Sequence, residues 1–354
     1  MNRSARRNTF NIFIILVISI GYIVWQFRDV KLHSFLKDLE HVNLWWILIA
    51  FICMAFSWIF EAIVLHNTVK PSKPDQHFFS SFRITMGGQF FNMITPMQTG
   101  GQPAQLFMLT RQGMDAGAAS SVLLIKFIIY QAMIVINFIV VLIFGFHYLM
   151  TDVIQVKFLV ITGFLVHSAV IVGLIFVAKS QRVTTKIVHF LFIPIAWVIK
   201  KERSNRMKQL IDEKIASFHV EIERISKDRK IIFKASFYTT LQLWIYFTIP
   251  YFILIGIGVH DVSLYMAITF HAFIMMFATV MPTPGGSGGA EYTFTLLLTG
   301  FMSSVKLLTA LLIWRIITYY SCIIFGGIAL MIRDKRTVLK RKTIKKSLGN
   351  NLIH

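Results

Sequence analysis

The stretch ATVMPTPGGSGGAEYTFTLLL, from Ala278 to Leu298, places two prolines, four glycines and a glutamate between two apolar runs. Proline removes a backbone donor and glycine weakens a helix, so this pattern predicts a helix that breaks and then resumes. At membrane depth, such a break is tolerated only where the backbone is buried in protein or lines a wet cavity. The stretch therefore points to a functional site if the surrounding chain crosses a membrane.

The composition is that of a polytopic membrane protein. Of 354 residues, 56% are hydrophobic and only 15% are charged, the mean hydropathy is +0.66, and the formal net charge is +20. The positive charge lies between and beyond the apolar runs, which suits contact with anionic lipid headgroups. Nucleic-acid binding would need a soluble basic face, and the sequence shows none. Both cysteines, Cys53 and Cys322, lie in apolar runs, so we expect no disulfide, metal or cofactor.

Six apolar runs are long enough to cross a hydrocarbon layer of about 30 Å as helices. They cover residues 9–27, 44–65, 117–149, 157–178, 231–259 and 305–332. Lys and Arg are dense at the start, in segment 179–230 and in the tail 333–354, which predicts that both termini are cytoplasmic in a cell-membrane protein. Segment 179–230 itself is predicted to form amphipathic helices on the cytoplasmic surface, or alternatively a solvated linker.

Two further apolar stretches, 78–110 and 263–302, are interrupted by Pro and Gly. Six spans already return the chain to the cytoplasm, so each interrupted stretch must be a re-entrant hairpin or cross twice. Both breaks contain the pattern T-P-x-x-[ST]-G-G, at 95–101 and at 283–289. The predicted fold is thus a single all-α membrane domain over residues 1–354, built of two inverted halves at 9–149 and 157–332.

Broken helices in inverted repeats hold substrate near the membrane midplane. Freed amides and the start of a half-helix would suit an anion such as a lipid phosphate. The alternative is that each break is only a tight turn between two spans. The candidate binding residues in the breaks are Thr95, Pro96, Gly100, Gly101, Pro282, Pro284, Gly285, Gly286 and Gly288.

Ionisable side chains inside apolar runs are costly and are functional candidates. We predict that four cations line a cavity for a phosphate headgroup, with two carboxylates as counter-ions or as contacts to a cationic headgroup. The cations are Arg83, Arg111, Lys126 and Arg315, and the carboxylates are Glu61 and Glu291. Arg83, Arg111 and Lys234 also lie close enough to span ends to reach the interface instead. His167 and His271 each stand alone, which favours buried core histidines over a metal site.

The segments MPTPGGSGGAEY (281–292) and TPMQTGGQPAQLFMLTRQGM (95–114) resemble the integral-membrane region of the lysylphosphatidylglycerol synthase/flippase family. The resemblance extends over about residues 10–332. It implies movement of a lipid such as aminoacylated phosphatidylglycerol between leaflets. The aminoacyltransferase domain of two-domain members has no counterpart here, so the resemblance implies a stand-alone form.

The sequence contains no nucleotide-binding loop and no G-x-S-x-G elbow. The broken hairpins and the resemblance together lead us to expect translocation of a lipid or lipid-linked headgroup, such as an aminoacylated phosphatidylglycerol or a glycolipid, with membrane phospholipids as partners and no catalytic residue. Two alternatives stay open: a phosphatidylglycerol lysyltransferase-type enzyme, and a non-transporting anchor for a separate lipid synthase.

Overall fold

The computed structural model describes residues 32–149, 154–198, 201–279 and 281–332. These residues form α-helices with no β-strand among them. In chain order the helices are α1 (Leu32–Glu40), α2 (Leu44–Val69), α3 (Phe78–Ile94), α4 (Gly101–Arg111), α5 (Ala116–Leu149), α6 (Ile154–Lys179), α7 (Gln181–Val198), α8 (Lys201–Lys227), α9 (Arg229–Gly256), α10 (Leu264–Ala278), α11 (Gly289–Leu298), α12 (Ser304–Arg315) and α13 (Ser321–Met331). The all-α prediction is confirmed.

Five helical segments among the described residues are long and apolar enough to cross a membrane. They are Leu44–Val69, Ala116–Ile143, Ile161–Lys179, Arg229–Gly256 and Ser304–Met331. Each corresponds to one of the predicted spans. The sixth predicted span, 9–27, and the basic tail, 333–354, lie outside the described residues.

Apolar side chains on the outside of α6 show why these helices need lipid. Leu165 and Phe176 are each 61% exposed, and only 11% of this span is buried inside the protein. Soluble proteins rarely leave a contiguous apolar face of this kind uncovered. The chain is therefore built to lie within hydrocarbon, and its polar groups are turned inward.

Both interrupted stretches form helical hairpins whose two arms pack side by side. In the first, α3 and α4 approach so closely that a Cβ on Gly101 would lie 2.3 Å from Oδ1 of Asn92. At 1.5 Å per residue, α4 is about 16 Å long and α11 about 15 Å, each about half of the hydrocarbon thickness. The helix–break–helix prediction is confirmed, whereas the inverted orientation of the two halves across a membrane stays a prediction.

The two halves share one core. The most extensive helix contact joins α2 to α9, the spans that precede the two hairpins, and α13 packs along α3. A second apolar cluster forms where Phe218, Ile222 and Ile225 of α8 pack against the ends of α2, α4 and α5. The hairpins are thus held between spans from both halves, which brings their breaks together.

Candidate functional site

The two Pro/Gly breaks touch each other. Pro96 and Pro284 form an isolated antiparallel bridge, and the amide of Gly285 donates to the carbonyl of Thr95 at 3.3 Å. Gly285 has a φ of +58°, and a Cβ there would lie 2.2 Å from the ring of Tyr319. Only glycine fits both the left-handed backbone and the close ring. The shared T-P pattern therefore marks the point where the hairpins meet.

Most amides freed by the breaks have partners within the chain. In the first break, the amide of Gly100 donates to Oγ1 of Thr95 and that of Gly101 donates to Oδ1 of Asn92, both at 2.8 Å. In the second break, the amide of Gly288 donates to Oε2 of Glu291 at 2.6 Å. Buried amides almost always find such partners. The expectation that these three amides are free to hold a headgroup is therefore wrong.

Side chains, rather than these amides, supply the free polar groups. Nη2 of Arg315 lies 2.6 Å from Oε2 of Glu291, in a pair whose side chains are 6% and 0% exposed. This contact is an ion pair without hydrogen-bond alignment, and Nε of Arg315 and Oε1 of Glu291 have no hydrogen-bond partner among the described residues. The guanidinium also stacks on the rings of Trp314 and Tyr319, at 4.9 and 5.1 Å from their centroids. Arg315 is thus held in place while its Nε donor remains available for a hydrogen bond.

A second buried ion pair joins α2 to α5. Nζ of Lys126 lies 2.8 Å from Oε1 of Glu61. Gln89 of α3 donates to the other Glu61 oxygen at 2.5 Å, and Lys126 donates to Oε1 of Gln105 at 3.4 Å. The first hairpin therefore supplies one amide to each member of the pair.

Glu61, Lys126 and Arg315 line one cavity of about 450 Å³ between the hairpins, whereas Glu291, the buried partner of Arg315, is not among its lining residues. Its wall combines charged, amide and aromatic side chains, among them Glu61, Lys126, Arg315, Gln89, Tyr246 and Trp314. Of the predicted residues in the breaks, Gly285 lines the cavity. A volume of 300–1,000 Å³ with a few convergent polar groups is typical of a small-ligand site. The arrangement suits a polar headgroup that carries charge.

Two predicted cations lie elsewhere. Arg83 donates to the carbonyl of Ile332 at 2.6 Å, and the Arg111 guanidinium lies 4.8 Å from the ring centroid of Phe107. Neither lines the cavity. Both sit near the ends of hairpin arms, so the hypothesis that they share a cavity with Lys126 and Arg315 is not supported by the structure.

Sequence reasoning missed the aromatic part of the site. Directly after Arg315 the helix widens into a π-helical turn, Ile316–Tyr320, which brings Tyr319 onto the cavity wall and lets its hydroxyl donate to the carbonyl of Met93 at 3.0 Å. Such π-helical turns are frequent at functional sites. An apolar run gives no signal for this turn, because the same residue types are compatible with a continuous α-helix and with a π-helical turn.

The two histidines in apolar helices also line the cavity. Nε2 of His271 accepts from Nε1 of Trp314 at 3.2 Å, and His167 contacts Oε1 of Gln131 at 3.2 Å and Oγ1 of Thr279 at 2.9 Å. Both are buried, as predicted, and both make hydrogen bonds, although Nδ1 of His271 has no hydrogen-bond partner among the described residues. Their place on the cavity wall could not be read from their sequence positions.

These features define a multi-pass α-helical membrane protein with a charge-lined cavity between two broken helical hairpins. The chain belongs to the family described as the lysylphosphatidylglycerol synthase TM region, whose model matches residues 12–326. It is also similar to a UPF0104 membrane protein of Archaeoglobus fulgidus, with 23% identity over 349 residues that cover 95% of this chain and 99% of that protein.

Proposed function

We propose that this protein binds the polar headgroup of a membrane lipid in the cavity between the hairpins and moves it between leaflets. A headgroup that crosses hydrocarbon needs replacement partners for its lost water, because unpaired polar groups are costly there. The cavity offers such partners at the junction of the two hairpins, where broken-helix transporters place their substrate sites.

One observation carries the proposal: Arg315 lines the cavity almost fully buried, with Nε unpaired. A buried guanidinium is expensive, and its planar fork is suited to the oxygens of a phosphate. Glu291 balances the charge of Arg315, and the rings of Trp314 and Tyr319 hold the guanidinium in its orientation. Arg315 is therefore the proposed contact for the lipid phosphate.

The family's description supports a phosphoglycerol lipid as the substrate class. The carboxylate of Glu61 on the same cavity wall would suit an amino group carried by an aminoacylated headgroup, with Lys126 as its resting partner. The distribution of Lys and Arg further supports a place in the cell membrane with both termini in the cytoplasm.

The test combines lipid retention with translocation. Wild type, Arg315→Gln and Arg315→Lys are purified, their bound lipids are identified by native mass spectrometry, and each is reconstituted into vesicles with a headgroup-labelled phosphatidylglycerol. Because hydrogen bonds to charged groups are worth about 1.5–3 kcal/mol, we expect Arg315→Gln to lose about ten-fold or more in lipid retention. Translocation is expected to fall with it, and Arg315→Lys to recover only part of both.

Lys234→Gln is the matched control, since it removes one positive charge from an exposed position of α9. Equal translocation by Arg315→Gln, Lys234→Gln and wild type would overturn the proposal, provided all three elute as monodisperse protein. Aminoacylated lipid formed from added aminoacyl-tRNA would instead support the transferase alternative. Vesicles with no translocation in any variant would favour the anchoring alternative.

A further inference from the structure

We infer that α7 lies in the plane of the membrane and docks an apolar face onto anionic lipid. Five large apolar side chains are exposed on its outer side, with exposures of 44% for Ile187, 71% for Phe190, 65% for Leu191, 44% for Ile193 and 85% for Trp197. Their spacing of three, four, six and ten residues from the first places them on one side of the helix. We refer to these five residues as the outer stripe.

The opposite side of α7 is held by protein. Phe192 is buried on this side, and near the start of α7 the hydroxyl of Thr184, which lies beside the outer stripe, is also buried and donates to the carbonyl of Val177 near the end of α6. Nε2 of His189 lies 2.9 Å from Oδ1 of Asp212 on α8. These contacts fix the direction in which the outer stripe points, so its exposure follows from the packing of α7.

The start and the middle of α7 lie on the same side of the protein. α5 runs from Asp115 across the protein and α6 returns, so the end of α6 and the start of α5 share one side. α8, which follows α7, is tied to that side by an ion pair of Lys214 with Asp115 and by the Ser121 hydroxyl, which donates to the Phe218 carbonyl at 2.7 Å. Asp212, the partner of His189 in the middle of α7, is two residues from Lys214, so α7 stays on this side over its first half instead of crossing the membrane.

The basic residues around the outer stripe, and its continuity with the lipid-facing surface of α6, indicate that anionic lipid covers it. The lipid-facing surface of α6 extends to Phe176, and the outer stripe begins eleven residues later, after the turn at Ser180. Lys179, Arg182 and Lys186 are exposed at this edge, and α7 contains no Asp or Glu. An apolar face flanked by basic residues is the pattern of interfacial helices, which bury that face about 5–10 Å into the headgroup boundary.

The test is spin labelling of the full chain in vesicles of phosphatidylglycerol and phosphatidylcholine. With Cys53 and Cys322 replaced by serine, a label is placed at Leu191→Cys and its collision rates with oxygen and with a water-soluble nickel complex are measured. Leu165→Cys on α6 is the hydrocarbon reference, and Glu223→Cys, exposed on α8, is the aqueous reference. We expect an oxygen-to-nickel ratio at Leu191→Cys severalfold above the aqueous reference, at a depth of about 5–10 Å.

Two results would overturn the inference. A nickel collision rate equal to that at Glu223→Cys would place the outer stripe in water, and protection from both reagents would place it against protein, such as a second copy or a lipid synthase. The charge requirement has its own control: Arg182→Gln with Lys186→Gln should make the label shallower in these vesicles. An unchanged depth in that variant would refute the role of anionic lipid. All these outcomes are independent of headgroup transport.

Discussion

Replacing Lys126 with methionine leaves Glu61 as a buried carboxylate without its counter-ion. The lysine Nζ lies 2.8 Å from Oε1 of Glu61, and the side chains are only 6% and 11% exposed. After the replacement, the remaining hydrogen-bond partner of Glu61 among the described residues is the amide of Gln89, at 2.5 Å. One neutral donor does not balance a full charge on a side chain that is largely buried, so the folded state loses stability.

The expected size follows from removing one member of a buried pair, which costs about 3–5 kcal/mol. At about 2 °C per kcal/mol, the lower end of the range for larger chains, the apparent Tm falls by about 6–10 °C. The assay is thermal unfolding of the detergent-purified protein. Adding Glu61→Gln to Lys126→Met restores neutrality, and we expect it to recover most of the loss, since the two changes act on one contact.

The matched control is Lys234→Met, which makes the same chemical change at an exposed site on α9. Surface substitutions of this kind stay within about 0.5 kcal/mol. The reasoning is refuted if Lys126→Met unfolds at the same temperature as Lys234→Met. It is equally refuted if the double variant is no more stable than Lys126→Met alone, because the loss would then not come from the unpaired carboxylate.

Three further outcomes are expected. Gly285→Ala should lower Tm, because a left-handed non-glycine residue alone costs about 1–3 kcal/mol and the added Cβ would also meet Tyr319; an unchanged Tm would contradict the close approach. Tyr319→Phe should lower the free energy of unfolding by about 1 kcal/mol, measured by thermal unfolding, because phenylalanine has no hydroxyl to donate to the Met93 carbonyl. A hydrogen bond from Lys214 lowers the pKa of Asp115 to about 2, from its usual value of 3.8. The stabilisation of the folded state by ionised Asp115 is therefore complete above about pH 4 and lost as the pH falls through about 2. The small Tm difference between wild type and Asp115→Asn should vanish over that window. A difference that persists at the lowest pH would refute the assignment.

Local patterns were sufficient for the spans and for the breaks. A run of apolar residues long enough to cross hydrocarbon has few alternatives to a helix, because every backbone group must be paired internally. Proline and glycine at 282–289 interrupt that helix through their own backbone chemistry. The matching T-P at Thr95 and Thr283 indicated that the two breaks correspond, and the structure shows that they meet.

The pairing of charges could not be predicted in the same way. An ionisable group in an apolar run is unusual, and this criterion identifies Glu61, Lys126, Glu291 and Arg315 as candidates. Arg83 and Arg111 satisfied that criterion equally well, yet they lie outside the cavity. The sequence shows which ionisable side chains would be costly to bury, but not which opposite charge each of them pairs with.

The sequence by itself determined that this protein is a helical membrane protein with two broken hairpins. Both features depend on short segments of the chain: a continuous apolar run forms a helix, and proline and glycine within it break that helix. The tertiary structure decided that Glu61 pairs with Lys126 across 65 positions, that the freed amides are largely satisfied within the chain, and that a π-helical turn presents Tyr319 beside Arg315. These outcomes depend on how helices pack and rotate against one another. A rotation of one helix by a single residue, about 100°, would point the same side chain into lipid instead of the cavity.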